Sequence, residues 1–322
     1  MKNNIICLFL FFSFTSLWAQ FPGKAGSLGS TAIHKDSSVF TSWATACTVY
    51  RGFQDISSEN KAKANAGDSL MATGKAGANG SLSLGDGGYA ILTFAHPITN
   101  TSGADFAVFE NAFDDQFLEL AFVAVSSDGL NYVRFPATSY LQNLVQIGPF
   151  DAISDPSKIN NLAGKYRAMF GTPFDLEELK GIEALDINAI THVKISDVVG
   201  SINPSYASYD QYNNVINDPF PTPFASCGFD LDAVGVIHSL SELKSLHKMI
   251  ELSLYPNPIS KEEATSIKCS EYIDAISIFE SNGKLLFKGE LAALKSLRFE
   301  AGVYFIMVTT SKGDFQQKLI VE

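Results

Sequence analysis

A chain of 322 residues with 23 Lys/Arg against 34 Asp/Glu carries a formal net charge of −11, which disfavours a nucleic-acid partner, because phosphates are held by Lys and Arg. Four cysteines without a C-x-x-C pair and five scattered histidines exclude a zinc ribbon. The length admits more than one domain, and the charge is unevenly spread along it.

Residues 1–19 hold Lys2 as their only charge, then an apolar run from Ile5 to Trp18 that ends in Leu17-Trp18-Ala19. A short apolar core before a small residue predicts a cleaved secretory signal, with cleavage after Ala19. Cys7 lies too early to serve as a lipidated cleavage residue. No later stretch reaches the roughly 18 to 20 apolar residues of a membrane helix, so no transmembrane segment is expected.

Residues 20–239 hold 12 Lys/Arg against 23 Asp/Glu, and 17 of those acids are Asp; residues 240–322 hold 10 against 11, with 9 Glu. The acidity therefore belongs to the first region. Asp is the residue of turns and of oxygen-donor metal loops.

Within that region, Trp43 to Tyr50 reads as a strand, residues 67–80 as a surface loop, and Tyr89 to Phe94 as a strand entered through glycine turns. Gly85-x-Gly87-x-x-Ala90 resembles a dinucleotide fingerprint only superficially, since a β-rich run follows where a helix is needed. The densest β-signal is Asp105 to Phe113, then Leu118 to Gly129 and Tyr132 to Phe135, with Ser127-Asp128-Gly129 as hairpin turn. Ala121 to Val125 is apolar on both faces, so something must cover each side.

Asp155 to Arg167 and Phe174 to Leu179 carry caps, an early Pro and apolar residues at helical spacing (Ile159, Leu162, Ala163, Tyr166), which predicts short inserted helices. Ile190 to Val198 alternates as a strand. A long irregular segment, 203–226, holds Tyr206, Tyr209, Tyr212, Phe220 and Phe224, and Phe229 to Ile237 closes the region as a final strand.

This order of strands resembles discoidin-like, galactose-binding-like jelly rolls. Phe106 to Asn111, Asn161 to Tyr166, Gly171 to Leu176 and Gly228 to Val234 resemble a family of exported bacterial cell-surface proteins to which no activity is assigned. The resemblance spans about residues 30–238. Some relatives are similar to surface proteins encoded beside outer-membrane cobalamin receptors, which implies ligand capture.

After a linker at 239–250, residues 251–322 form short alternating strands bounded by Asn-Gly, Ala-Gly and Lys-Gly turns, an Ig-like small β-sandwich. The tail resembles the type A C-terminal sorting domain of the type IX secretion system on Tyr255-Pro256-Asn257-Pro258, the Gly302-x-Tyr304 strand and Lys318 in the terminal strand. That resemblance implies export across an outer membrane by the type IX machinery, to the cell surface or the medium. The expected plan is thus a signal peptide (1–19), an all-β jelly-roll passenger (20–238), a linker (239–250) and a sorting domain (251–322).

Chemistry is sparsely marked. There is no Gly-x-Ser-x-Gly elbow, P-loop or His-Glu-x-x-His motif. A non-catalytic binder is expected, with a glycan as ligand; cobalamin capture, a structural surface role, and a glycoside hydrolase using Glu110 with Asp230 or Asp232 are the alternatives. The ligand surface is expected on Tyr206, Tyr209 and Tyr212, joined by Trp43 and Phe220, because tyrosines offer flat faces with a hydroxyl at little entropic cost. The alternative is a lid whose rings face inward. A structural Ca²⁺ is expected among Asp105, Glu110, Asn111, Asp230 and Asp232, against the alternative that these residues cap turns. Cys47 and Cys227 lie beside the first and last strands of an oxidised protein, so they either bridge or pack as two buried thiols.

Overall fold

The computed structural model describes residues 21–240, 252–310 and 313–322; the expected signal peptide and most of the expected linker lie outside them. It separates into two units, divided after Leu243. Among the described residues no helix is long and apolar enough to cross a membrane.

In the first unit, period-two apolar strands build two antiparallel sheets. One runs β1 (Ile33–His34), β12 (Phe170–Phe174), β6 (Phe106–Glu110), β14 (Asp230–Val236), β2 (Ser42–Trp43), with β4 (Leu82–Ser83) also on β14. The other runs β11 (Leu162–Ala163), β7 (Ala121–Ser126), β13 (Ile190–Asp197), β5 (Tyr89–Ile98), β3 (Ala46–Tyr50), with β8 (Val133–Arg134) on β7. Val108, Leu231, Val234 and Val236 from the first sheet meet Leu92, Val123, Val125 and Val193 from the second in one core. Phe106, Phe135 and Phe174 pack within it at 5.0 to 6.0 Å between ring centroids, Phe106 stacked on Phe174 and Phe135 set against both at a steep angle. Each such ring contributes about 1.5–3 kcal/mol by leaving water.

Both faces of the central strands are covered, as the apolar run Ala121 to Val125 requires. The outer face of β6 carries Ala107 and Phe109 under Phe40 and Trp43. The outer side of β7 carries Phe122 in a separate cluster with Leu118, Leu120, Leu162 and Ile216. The hairpin of β7 and β8 forms through the turn at 127–129, where the Asp128 carboxylate accepts from the amides of Leu130 and Asn131, both at 2.8 Å.

Two elements differ from expectation. Trp43 to Tyr50 is not one strand: the chain crosses from β2 in one sheet to β3 in the other at Ala44-Thr45. The inserted helices reduce to 3-10 turns at Pro156–Lys158 and Leu176–Leu179, capped by Asp155 and Asp175. After the first turn, Asn161 and Gly164 take positive φ (52° and 81°), which a continuing helix forbids. Ile159 and Leu162 are instead buried in short strands.

Cys47, on β3 and partly buried, and Cys227, buried just before β14, are both free thiols in this structure. The two lie at different sheets. Burial pushes the Cys47 thiol up to about 11 and that of Cys227 up to about 12, and both remain protonated and inert. Thiol titration of the exported chain in denaturant without reductant is expected to find all three of Cys47, Cys227 and Cys269; finding one would mean that a disulfide had formed.

The second unit pairs β15 (Leu252–Tyr255) with β16 (Ser266–Cys269), and orders β18 (Leu285–Gly289), β17 (Ala275–Glu280), β19 (Gly302–Thr310) and β20 (Gly313–Val321) in a second antiparallel sheet. Its core is its own: Leu254, Ile276, Ile278, Ile306, Val308 and Leu319. Asn257 explains the opening motif. Its side-chain amide donates to Lys318 O at 2.7 Å and its carbonyl oxygen accepts from Ile320 N at 2.9 Å, clipping the start of the domain to its last strand. Tyr304 donates its hydroxyl to Glu300 O at 2.9 Å, whereas the Lys318 side chain is exposed and its backbone does the work.

Because each unit has a hydrophobic core of its own among the described residues, residues 20–238 and 251–322 expressed separately are each expected to give a cooperative melt. A passenger piece that stays unfolded without the tail would contradict this.

Candidate functional site

One end of the passenger sandwich gathers carboxylates, and the strand ends put them there. β6 finishes at Glu110, β14 begins at Asp230 beside it, β13 finishes next to the start of β7, at Asp197, and Asp86 leads into β5. Glu119 precedes β7, and Asp218 reaches in from the segment 203–226 to accept from Leu120 N at 2.6 Å.

Most of these acids are satisfied by backbone amides. Glu110 accepts from Ala112 N at 2.7 Å, Asp197 from Phe229 N at 2.8 Å and Gly87 N at 3.2 Å, and Asp86 from Ile56 N at 2.8 Å. Asp230 accepts from the Ser83 hydroxyl. Burial comes first among the causes that hold Glu110, Glu119, Asp197 and Asp218 well above the usual carboxylate range, and their mutual repulsion adds to it. Asp86 is pushed up to about 6 by burial. Arg51 is the cation felt by Asp230, yet its guanidinium is committed to the carbonyls of Ala66, Ser83 and Gly67.

Glu119 is different: among the described residues its carboxylate receives no hydrogen bond, and it faces a cavity of about 370 Å³. Three loops build the walls. In the first, Asp114 accepts from the amides of Gln116 (2.7 Å) and Phe117 (2.8 Å), a tight turn that presents Phe113 and Phe117, whose rings lie 6.3 Å apart. In the second, Asp151 accepts from Gly148 N at 2.8 Å and presents Pro149 and Phe150. The third is the last part of the irregular segment, where Thr222 and Phe224 reach the cavity and Phe224 lies 5.6 Å from Phe150. Phe113 and Phe150 are 86% and 76% exposed, large apolar faces left in water at a cavity mouth. Glu119 and Asp230 are its acidic lining residues beside Asp114, and no Lys, Arg or His lines it.

The loops are tied down. Asn217, fully buried, donates to Gln142 O and Val145 O and accepts from Ile147 N, and Ser154 N donates to Gln116 O at 2.9 Å. Gly164 sets the place of Glu119: a Cβ there would lie 1.8 Å from the Glu119 carbonyl oxygen, at a φ of 81°. Gly164→Ala is therefore expected to cost about 2 kcal/mol, read as a lowered melting temperature.

The residues expected to bind ligand lie elsewhere. Trp43 packs on Phe40 and Phe109, outside the first sheet. Phe220 is buried, 7% exposed, while Tyr206, Tyr209 and Tyr212 are partly or fully exposed and do not line the cavity. Of that segment only its end, near Phe224, contributes.

The residues chosen for calcium are also dispersed. Asp105 and Glu110 stand at opposite ends of β6, about 16 Å apart at strand rise, and cannot share an ion. Asp105, fully buried, accepts from Thr101 N, Leu176 N and His238 Nδ1. Both Asp232 oxygens accept from Gly77 N, and Asn111 is exposed. Among the described residues no three His, Cys, Asp or Glu side chains form a metal-holding group. Asp105, Glu110 and Asp232 accept hydrogen bonds from backbone amides, and Asp230 from the Ser83 hydroxyl.

Sequence reasoning missed Phe113, Phe117, Phe150 and Glu119. Glu119 sits between Leu118 and Leu120 and looks like the outward residue of an ordinary strand. The available signal was a lone Glu in a run buried on both sides.

Residues 253–322 match the family described as the secretion system C-terminal sorting domain. No curated protein matches the chain. Among solved structures, a biofilm-associated protein's BSP domain aligns over 89% of this chain and 52% of its own length, at 10% identity and a TM-score of 0.19. The chain thus spans about half the length of that structure. The sorting tail marks this as a protein exported by type IX secretion to the cell surface or the medium.

Proposed function

We propose that this exported protein is a non-catalytic glycan binder, and that the ligand enters the aromatic-walled, acid-floored cavity of the passenger. One observation carries the reading: two pairs of phenylalanine rings, with Phe113, Phe150 and Phe224 exposed, stand around the Glu119 carboxyl, which receives no hydrogen bond among the described residues. Sugar rings present an apolar C–H face that stacks on aromatics and a rim of hydroxyls that donate to carboxylates, so they satisfy both features at once. The cavity lies near the small end of ligand pockets, which run from about 300 to 1,000 Å³. That size suits one or two sugar rings and is small for a corrin with its side arms.

The exported chain, residues 20–322, applied to a glycan array is expected to retain a defined subset of sugars. Retention of none would remove the proposal.

A hydrolase is the second reading, favoured by Glu119 alone. A carboxyl held protonated by burial beside Asp230 has the character of a general acid. Glu110, the acid expected from sequence, is occupied by its own loop's amides and does not line the cavity. Release of reducing sugar, abolished by Glu119→Gln, would favour this reading over simple binding.

A further inference from the structure

We propose that the outer face of the second sheet is a separate binding surface, for a polysaccharide whose sugar rings carry carboxylates. Side chains of β5, β7 and β13 alternate in period two, so Leu92, Val123, Val193 and Ile195 enter the core while their neighbours face outward. Register sets those neighbours side by side. Tyr50 on β3 lies opposite Tyr89 on β5, and the two rings stack at 4.6 Å between centroids. Lys194 on β13 and Arg134 on β8 stand in one cross-strand row, with Ala124 of β7 between them. Tyr132, two residues before Arg134, shares its side of the hairpin.

The cations are the first support. Lys194 Nζ sits 4.0 Å from the Tyr89 ring centre and 5.8 Å from that of Tyr132, and the Arg134 guanidinium lies 4.2 Å from the Phe122 ring. A ring face holds a cation in place without consuming all of its N–H donors. Among the described residues neither Lys194 nor Arg134 forms an ion pair or a side-chain hydrogen bond, whereas Lys75, Arg167 and Lys180 each meet an acid. Asp128, the acid close to Tyr132, has its oxygens taken within its own turn by Leu130 N, Asn131 N, Asn131 Nδ2 and the Ser126 hydroxyl. Asp197, on the same strand as Lys194, points to the opposite side of the sheet. Charges beyond about 8 Å are largely screened at physiological ionic strength, so the net charge of the chain does not forbid an anion here.

The second support is the layout. Tyr50, half exposed, and the partly exposed Tyr89 and Tyr132 offer apolar ring faces with hydroxyls, the combination on which a sugar ring stacks. Lys194 and Arg134 are two strands apart, about 10 Å at sheet spacing, and Ala124 puts no bulk between them. Carboxylates along an extended chain can therefore reach both. The guanidinium fork matches a carboxylate with two parallel N–H donors. A neutral sugar would leave the cations unanswered, and an acidic peptide would leave the rings so; a carboxylated sugar chain answers both.

The test titrates hexagalacturonate, hexamannuronate and polyglutamate calorimetrically into the exported chain at pH 7 and physiological ionic strength. At least one hexauronate is expected to bind, about tenfold tighter than polyglutamate. Lys194→Gln/Arg134→Gln is expected to weaken it about tenfold at an unchanged melting temperature. Phe150→Ala/Phe224→Ala is expected to leave it unaltered, because Tyr50, Tyr89, Tyr132, Lys194 and Arg134 do not line the cavity. Should the Gln pair melt early, Tyr50→Ser reads the same surface, with an expected weakening of about fivefold; unchanged affinity there overturns the proposal. Binding of neither hexauronate overturns it, and so does equal binding of polyglutamate, since charge alone would then act. Binding that survives the Gln pair and is lost with the phenylalanines also overturns it, and assigns acidic sugars to the cavity.

Discussion

The melting temperature of the exported chain is expected to fall as pH rises from about 5 to 8, contrary to the common behaviour of a protein whose acids are salt-bridged. Asp86, Glu110, Glu119, Asp197 and Asp218 all hold their protons more tightly folded than unfolded. The stability that such groups confer is complete below the unfolded value near 4 and is lost as pH climbs through the raised folded value. For Asp86, whose folded value is about 6, this amounts to about 3 kcal/mol. The other four act in the same direction and titrate as a coupled group. A loss of that size lowers the melting temperature of a domain this large by roughly 5–10 °C. Asp128 and Asp114, exposed and held below the usual range by backbone amides, act the opposite way but lie in solvent, where such effects are small. Scanning calorimetry across this range at fixed ionic strength checks the sign. Asp86→Asn should flatten the slope, and a melting temperature that rises with pH would show the cluster to be charged and compensated.

The double variant Phe150→Ala/Phe224→Ala is expected to weaken sugar binding roughly a hundredfold, which is about 3 kcal/mol. Phe150 is largely in solvent, 76% exposed, and Phe224 is half-covered at 41%; neither belongs to a core cluster of the sandwich, so their removal is expected to leave the cores intact and lower the melting temperature only slightly. The triple variant Tyr206→Ser/Tyr209→Ser/Tyr212→Ser is the control. Those tyrosines lie outside the cavity, and binding should persist at close to the parent affinity. The opposite pattern, loss with the tyrosines and retention without the phenylalanines, would move the site to the segment 203–212.

The strands were legible wherever alternation was local. β5, β7, β13 and β14 follow from Tyr89 to Phe94, Ala121 to Val125, Ile190 to Val198 and Phe229 to Ile237, because side-chain period two is a property of neighbours. So was the tail, where Asn257 forms the clip to Lys318 and Ile320 that its motif performs. The crossing at Ala44-Thr45 was not legible, since no Gly or Pro marks the step from one sheet to the other. Ile159, Leu162, Ala163 and Tyr166 mimic a helical stripe, and only the positive φ at Asn161 and Gly164 reveals that they bury by another route.

The site was the least legible part, for a physical reason. Its walls come from residues 113–119, 149–152 and 222–230, brought together by sheet topology and by anchors such as Asn217 and Asp218. No local periodicity encodes such an assembly. Composition did register its chemistry: the excess of Asp in the passenger reflects loop anchors and the acid cluster at one end of the sandwich. Of the aromatic segment, Phe224 lines the cavity and Tyr206, Tyr209 and Tyr212 do not.

The most direct measurement is a crystal structure of the exported chain soaked with a sugar that the glycan array retains. The expected result is a sugar ring stacked on the Phe150 and Phe224 pair at the cavity mouth with a donor group on Glu119. A ring seated instead against Tyr206, Tyr209 and Tyr212, with the cavity holding only solvent, would contradict the account.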